Sequence, residues 1–428
     1  MRIQKYFYPG IATALLLLVF GISSLTFAGN PIALDFAVYQ GEQDQVTPAV
    51  AYNPQLKNYL VVWSNDRPGN DDIYARRITA NGKPLGGWIS ISAGAGFERR
   101  YPDVAYNEVQ GEFLVVWEEE PHGGYLTIRG LRVSKNGEPI PPVINISSGP
   151  ALKNCQKPSV AYASTSDNYL VVWDSMVSGG VHSYIEAQVI SNAGVKEGLN
   201  FLISGSSSIG FSDRRPDLAY NRSRNEYLAV FERLYDNATT QSIYGRLVTG
   251  DGTALGSSAD VISVVAEDQL NPVVAAIPTV PHEGKFFVAW ESQYSPGNNN
   301  IYGKRFTHDL KSDGIILMLS NSPKSDSAPA VAANEYSDQF LVAWKQPWGP
   351  FSNSSISTRY ISKENDTLEG EITIGGYQTG MFSTEPAVAS GMPGDFMVAF
   401  SDTSLGLPDS DIFGQLLGNR QYIPLTIR

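Results

Sequence analysis

Three short stretches concentrate positive charge in a chain whose formal net charge is -12: Glu98-Arg99-Arg100-Tyr101, Asn154-Cys155-Gln156-Lys157 and Asp213-Arg214-Arg215. A guanidinium offers parallel N–H donors that match a carboxylate or a sulfate. Arg99, Arg100, Arg214 and Arg215, together with Lys157, are therefore candidates for holding an acidic ligand. Acids recur at a fixed place beside large aromatics, as Glu118 after Trp117, Asp174 after Trp173, Glu232 after Phe231 and Glu291 after Trp290. The same set thus admits a purely structural use, in which Arg–carboxylate pairs tie neighbouring units together. Among the four histidines, His122 and His182 are the candidates for the base of a polysaccharide lyase or for metal ligands, though their spacing is not that of a metal site. Trp348 and Phe351, in QPWGPFSNSS, read either as an aromatic platform for a sugar ring or as a cover packed over the rim. The acidic run Asn65–Asp72 lacks the D-x-D-x-D-G order of a calcium loop. No Ser-His-Asp order, phosphate loop, zinc signature or sialidase box is present, so no catalytic set, metal or cofactor is assigned.

What must position these residues is a repeat. PAVAYN from Pro48 recurs as PDVAYN (Pro102), PSVAYA (Pro158), PDLAYN (Pro216), PVVAAI (Pro272), PAVAAN (Pro329) and PAVASG (Pro386). About fifteen residues after most of these prolines comes YLVVW, FLVVW, YLAVF or a close variant, ending at Trp63, Trp117, Trp173, Phe231, Trp290, Trp344 or Phe400. DIYARRI and SIYGRLV exemplify a third element, and WISIS and PVINIS a looser fourth. Each element is short, rich in Val, Ile, Tyr and Trp, and bounded by Asn, Gly, Asp, Ser or Pro, which predicts strands. No sustained 3.6-residue apolar period appears, so helices should be scarce.

Leu60-Val61-Val62-Trp63 is apolar at consecutive positions, so both faces of that strand must be covered. Ile89-Ser90-Ile91-Ser92 alternates like a strand that meets water. Tandem β-sandwiches would need about 100 residues each, and an open row of sheets would leave bare apolar faces at its ends. The prediction is an all-β, seven-bladed β-propeller with four antiparallel strands, a to d, in each blade. Ile32–Tyr39 and Tyr422–Ile427 compete for the strand that closes the ring. The loops entering strand a and those joining b to c should gather on one face, the top, around the central channel. That places the basic stretches on blades 2, 3 and 4, with the acids that follow the strand-b aromatics in the b–c loops beside them.

The order P-x-V-A-Y-N, L-V-V-W, polar loop, D-I-Y resembles the blade unit of TolB-type β-propellers and of repeats in large bacterial secreted proteins. The resemblance covers nearly the whole chain and implies the fold, since propellers carry many unrelated activities.

Residues 1–28 read as a secretory signal: Arg2 and Lys5, then IATALLLLVF, then a small-residue cleavage region ending at Ala28. Residues 29–428 would then be a single domain, secreted, periplasmic or on the cell surface. Cys155 is the only cysteine, so packing rather than disulfides must hold the fold. The acidic balance argues against nucleic acid as a partner, and no later segment is apolar for long enough to form a helical membrane span. The expected function is a monomeric, non-catalytic module that binds a glycan or an envelope or extracellular protein through its top-face loops. A lyase acting on an acidic polysaccharide, and a structural scaffold of a cell-envelope complex, are the alternatives.

Overall fold

The computed structural model describes residues 35–418, apart from 68, 148–152, 178–181, 205–209, 257–258, 264, 279–283, 296, 349–352, 367, 376–382 and 404–408. The signal-like segment, His282, Phe351 and Tyr422–Ile427 lie outside the described residues.

Seven four-stranded antiparallel sheets make a seven-bladed β-propeller. Blade 1 runs Asp44–Asn53 (a), Asn58–Asp66 (b), Asp72–Thr79 (c) and Pro84–Ser92 (d). Strand a of blades 2 to 7 begins at Phe97, Lys153, Phe211, Gln269, Ser327 and Ser383. Phe36–Tyr39 supplies the outer strand of blade 7 by pairing with Ser410–Gly418, so the N-terminal candidate fastens the ring.

Burial follows the sequence pattern. Leu60 and Val62 pack toward blade 2, whereas Tyr59, Val61 and Trp63 pack toward blade 7. Trp63, Trp117, Trp173, Trp290 and Trp344 are among the largest fully buried side chains. Burying each large side chain contributes about 1.5–3 kcal/mol, and each seam has its own cluster of such contacts. The outermost strands meet water, and Trp88 and Leu199 are exposed there.

One local device sets the channel mouth. In blade 1, Val46 pairs with Ser64 and Ala49 with Val62, so Thr47 and Pro48 together oppose Trp63. That two-against-one count is a β-bulge. It recurs opposite the strand-b aromatic in every blade. The regular Pro-to-aromatic spacing in the sequence is the trace of this bulge. Strand a is the inner edge of its sheet, where proline removes no ladder hydrogen bond.

Candidate functional site

The residue before each proline takes the left-handed conformation: Thr47, Tyr101, Lys157, Arg215, Asn271, Ala328 and Glu385 all have φ between 50° and 54°. Residues with a Cβ avoid this region at a cost of about 1–2 kcal/mol. Neither glycine nor a single favoured residue fills it here. Seven residue types share one backbone geometry, and together they ring a mouth cavity of about 530 Å³.

The bulge is held from the side by the neighbouring blade. The Lys157 N–H donates to Glu118 Oε2 at 2.9 Å, Asn271 N–H to Glu232 Oε2 at 3.2 Å, and Ala328 N–H to Glu291 Oε1 at 2.8 Å. The Arg215 N–H bonds Asp174 in the same manner. At the junction of blades 7 and 1, Thr47 N–H donates to Glu385 Oε2 at 2.8 Å. The acids after the strand-b aromatics therefore lie within strand b, not in the b–c loops. Each accepts a backbone N–H from the bulge of the next blade, and Glu232 also meets the Arg215 guanidinium. A main-chain donor stranded at a bulge needs an acceptor as much as a cation needs an anion.

These acids are nearly buried, and burial shifts them. Glu118 is pushed up to about 7, only partly offset by the Lys157 N–H bond and the Lys157 charge. Asp174 is pushed up to about 6 and Glu232 is raised as well, again chiefly by burial. Just inside the channel, Asp103 rises to about 7 and Asp217 to about 6, with burial the main cause in both. Both face the bore, where water reaches them although protein surrounds them. Asp103 Oδ2 accepts from Val160 N–H at 2.8 Å, and Asp217 accepts from Val274 N–H at 2.7 Å and from Ser159 Oγ at 3.1 Å.

The basic residues divide into two groups. Arg99 is buried and spent on structure, with Glu119 at 2.9 Å, Asp72 at 3.3 Å and the Phe97 ring beneath it. Arg100 pairs with Asp71 at 2.6 Å and also with Glu98, joining blades 1 and 2. For these two the blade-tying use holds. Lys157 Nζ lies 2.8 Å from the Tyr101 ring centroid. Arg215 contacts Glu232 at 3.4 Å with its side chain 48% exposed. Arg214 is exposed, donates through Nε to Ser183 Oγ at 3.2 Å, and pairs with no carboxylate among the described residues. Lys157, Arg214 and Arg215 are thus the cations still presented to a ligand.

The remaining candidates lie apart from the mouth. His122 Nε2 sits 2.7 Å from the Gly69 carbonyl on blade 1, and His182 Nδ1 lies 3.5 Å from Asp236. No histidine lines the mouth cavity among the described residues. Trp348 is half-buried, and its N–H donates to the Asn353 carbonyl at 2.9 Å. In the acidic run, Asp71 and Asp72 are engaged by arginines, and no group of three metal-ligating side chains occurs among the described residues. Sequence reasoning passed over Asn271, Asp103 and Asp217. Asp103 and Asp217 had a trace in the sequence: an acid follows the proline only in PDVAYN and PDLAYN.

No family model and no curated protein matches the chain. Several solved structures share its fold. A protein of unknown function from Dyadobacter fermentans is 14% identical at TM-score 0.53, covering 78% of this chain and 98% of its own. A polysaccharide lyase, an ulvan lyase, is 9% identical at TM-score 0.53, covering 91% and 96%. An α-L-arabinanase of Penicillium chrysogenum is 15% identical at TM-score 0.50, covering 91% and 98%. At such identities the likeness extends to the fold alone. Among the described residues no helix is long and apolar enough to cross a membrane.

Proposed function

We propose that this chain is an exported, non-catalytic propeller that holds an acidic glycan at its top mouth. The observation that carries this reading is the bulge ring. A strained geometry repeated seven times presents seven different side chains to one cavity, with Lys157 and Arg215 on its lining and the exposed Arg214 next in sequence. A carboxylate or sulfate of the glycan would take the two guanidiniums, while Glu385 across the mouth repels it and so orients the chain. The cavity volume is in the range of small-ligand sites. Export rests on the signal-like N-terminus and on the likeness of the blade unit to TolB-type and secreted repeats. Glycan-active proteins among the structures of this fold agree with a carbohydrate ligand.

A base must reach the proton it removes, and neither candidate histidine lines the mouth cavity, which favours binding over lyase chemistry. Titration calorimetry with uronic-acid, sulfated and neutral polysaccharides tests the proposal. Saturable binding of the acidic polymers, weakened at least about tenfold in Arg214→Ala/Arg215→Ala, is the expected result. Appearance of unsaturated uronate products would replace binding with lyase activity. Absence of glycan binding, together with specific capture of an envelope protein, would replace it with the scaffold reading.

A further inference from the structure

One seam between blades brings two unpartnered buried polar side chains, Gln269 and Ser263, to a single cavity. In each of five other blades, a buried polar pair links strands a and b one step outside the bulge. The pairs are Gln45–Asn65 at 2.9 Å, Arg99–Glu119 at 2.9 Å, Cys155–Ser175 at 3.6 Å, Asp213–Arg233 at 2.6 Å and Ser383–Asp402 at 2.8 Å. Blade 5 has Gln269 opposite Ser292 in this register. Gln269 is 1% exposed, yet its Oε1 has no hydrogen-bond partner. The next residue in that cross-strand row, Asn300, is fully buried with both side-chain polar atoms unpartnered.

The facing blade shows a matching omission. A serine closes the outer strand of several blades by accepting the N–H of a strand-c isoleucine. Ile128 N–H donates to Ser147 Oγ at 2.9 Å, Ile185 to Ser204 at 2.6 Å and Ile301 to Ser320 at 2.8 Å. Ser263 of blade 4 occupies the same place opposite Ile243, but its Oγ is buried without a partner. Between Ser263 and Gln269 lies a cavity of about 320 Å³, lined also by Trp290, Ser292, Tyr302 and Ile316.

We propose that this seam is a second binding site, for a neutral hydroxyl-rich ring of monosaccharide size. Buried polar groups without partners cost about 1–3 kcal/mol each, so two unpartnered groups lining one cavity define a complementary ligand. Hydroxyls of the ligand donate to Gln269 Oε1 and exchange hydrogen bonds with Ser263 and Ser292, while its C–H face lies against the Tyr302 ring. An alkyl ligand would leave Gln269 and Ser263 unpartnered. An acidic sugar would find no lysine, arginine or histidine on the lining, and would meet Glu267 instead. None of the residues lining this seam lines the top mouth.

Calorimetry or saturation-transfer NMR with neutral pentoses and hexoses tests the site. Ser292→Arg supplies the side chain that Arg233 provides in blade 4 and should abolish neutral-sugar binding. Gln269→Ala leaves the cavity open and should weaken binding about tenfold through one lost hydrogen bond. Arg214→Ala/Arg215→Ala should leave it unchanged, which separates this site from the mouth. Absence of saturable binding by any neutral sugar would overturn the proposal. So would binding that survives both seam variants, or a sugar-soaked crystal holding only water on Gln269 and Ser263.

Discussion

Blades 2 to 4 and blades 5 to 7 share one backbone plan but present opposite halves of the channel. At the bulge the first half offers Tyr101, Lys157 and Arg215, and the second Asn271, Ala328 and Glu385. Directly after the proline stand Asp103, Ser159 and Asp217 against Val273, Ala330 and Ala387. At the far end of strand a, Tyr106, Tyr162 and Tyr220 face Ala276, Ala333 and Ser390. The buried strand-b aromatics do not divide this way, since Trp117, Trp173 and Phe231 match Trp290, Trp344 and Phe400. The residues that repeat build the ring, and the residues that depart from the repeat give its channel a polar side and a plain side.

The largest expected effect separates buried charge from presented charge. Arg233 is 5% exposed, pairs with Asp213 through Nε at 2.6 Å and through Nη2 at 2.7 Å, and is packed among Phe211, Tyr235 and Tyr244. Arg233→Ala strands a buried aspartate and should cost about 3–5 kcal/mol in urea unfolding. Lys345, in the plain half, forms no ion pair among the described residues, and its alanine variant should change stability by less than about 0.5 kcal/mol. Equal losses from the two variants would show that the halves do not differ in how they use charge.

A second, smaller effect concerns the acids. Burial holds Asp103 and Glu118 protonated up to about pH 7, and Asp174 and Asp217 up to about pH 6. Unfolded carboxyls ionise near 4. Between those limits the folded chain holds more protons than the unfolded chain, so stability falls as pH rises and levels off above the folded-state values. Asp35 and Asp326, pushed up to about 6 and about 7, add in the same direction outside the polar half. Unfolding free energy should drop by at least about 1 kcal/mol from pH 5 to pH 8. The Asp103→Asn/Asp217→Asn variant should show a shallower drop. An undiminished slope in that variant would move the titration away from the channel strip.

The fold was legible because each blade states its needs locally: a proline at the bulge, a doubly buried apolar run, an aromatic opposite the bulge. Charge at the mouth was legible only in part. Arg99 and Arg100 are neighbours in sequence, yet the alternation of the strand sends one into the seam toward Asp72 and the other to the surface beside Asp71. Glu118 and Glu232 were readable as blade-linking acids. Their partners were not, because a free N–H at a bulge has no mark in residue type. Nor has the left-handed backbone itself, since Thr, Tyr, Lys, Arg, Ala and Glu are residues that ordinarily avoid it. The open seam had a faint sign in the repeat, a serine at 292 where blade 4 carries Arg233.

The smallest effect tests whether the bulge strain serves the mouth. In the plain half, Ala328 has φ 52° and a side chain of one methyl group, so Ala328→Gly relieves the conformation and loses little contact. The relief is about 1–2 kcal/mol and the added freedom of the unfolded glycine costs about 0.5–1 kcal/mol. The variant should therefore gain up to about 1.5 kcal/mol in urea unfolding. In the polar half, Arg215→Gly relieves the same geometry at φ 51° and loses the 3.4 Å contact to the buried Glu232, which keeps its bond from the Asn271 N–H. Its stability should hold or rise slightly, while affinity for an acidic polysaccharide falls. A protein that is more stable and binds less would tie the strained geometry to presentation of the side chain. If Arg215→Gly instead loses stability and keeps its affinity, the bulge arginine is a structural clamp, and the two halves of the mouth differ in composition without differing in use.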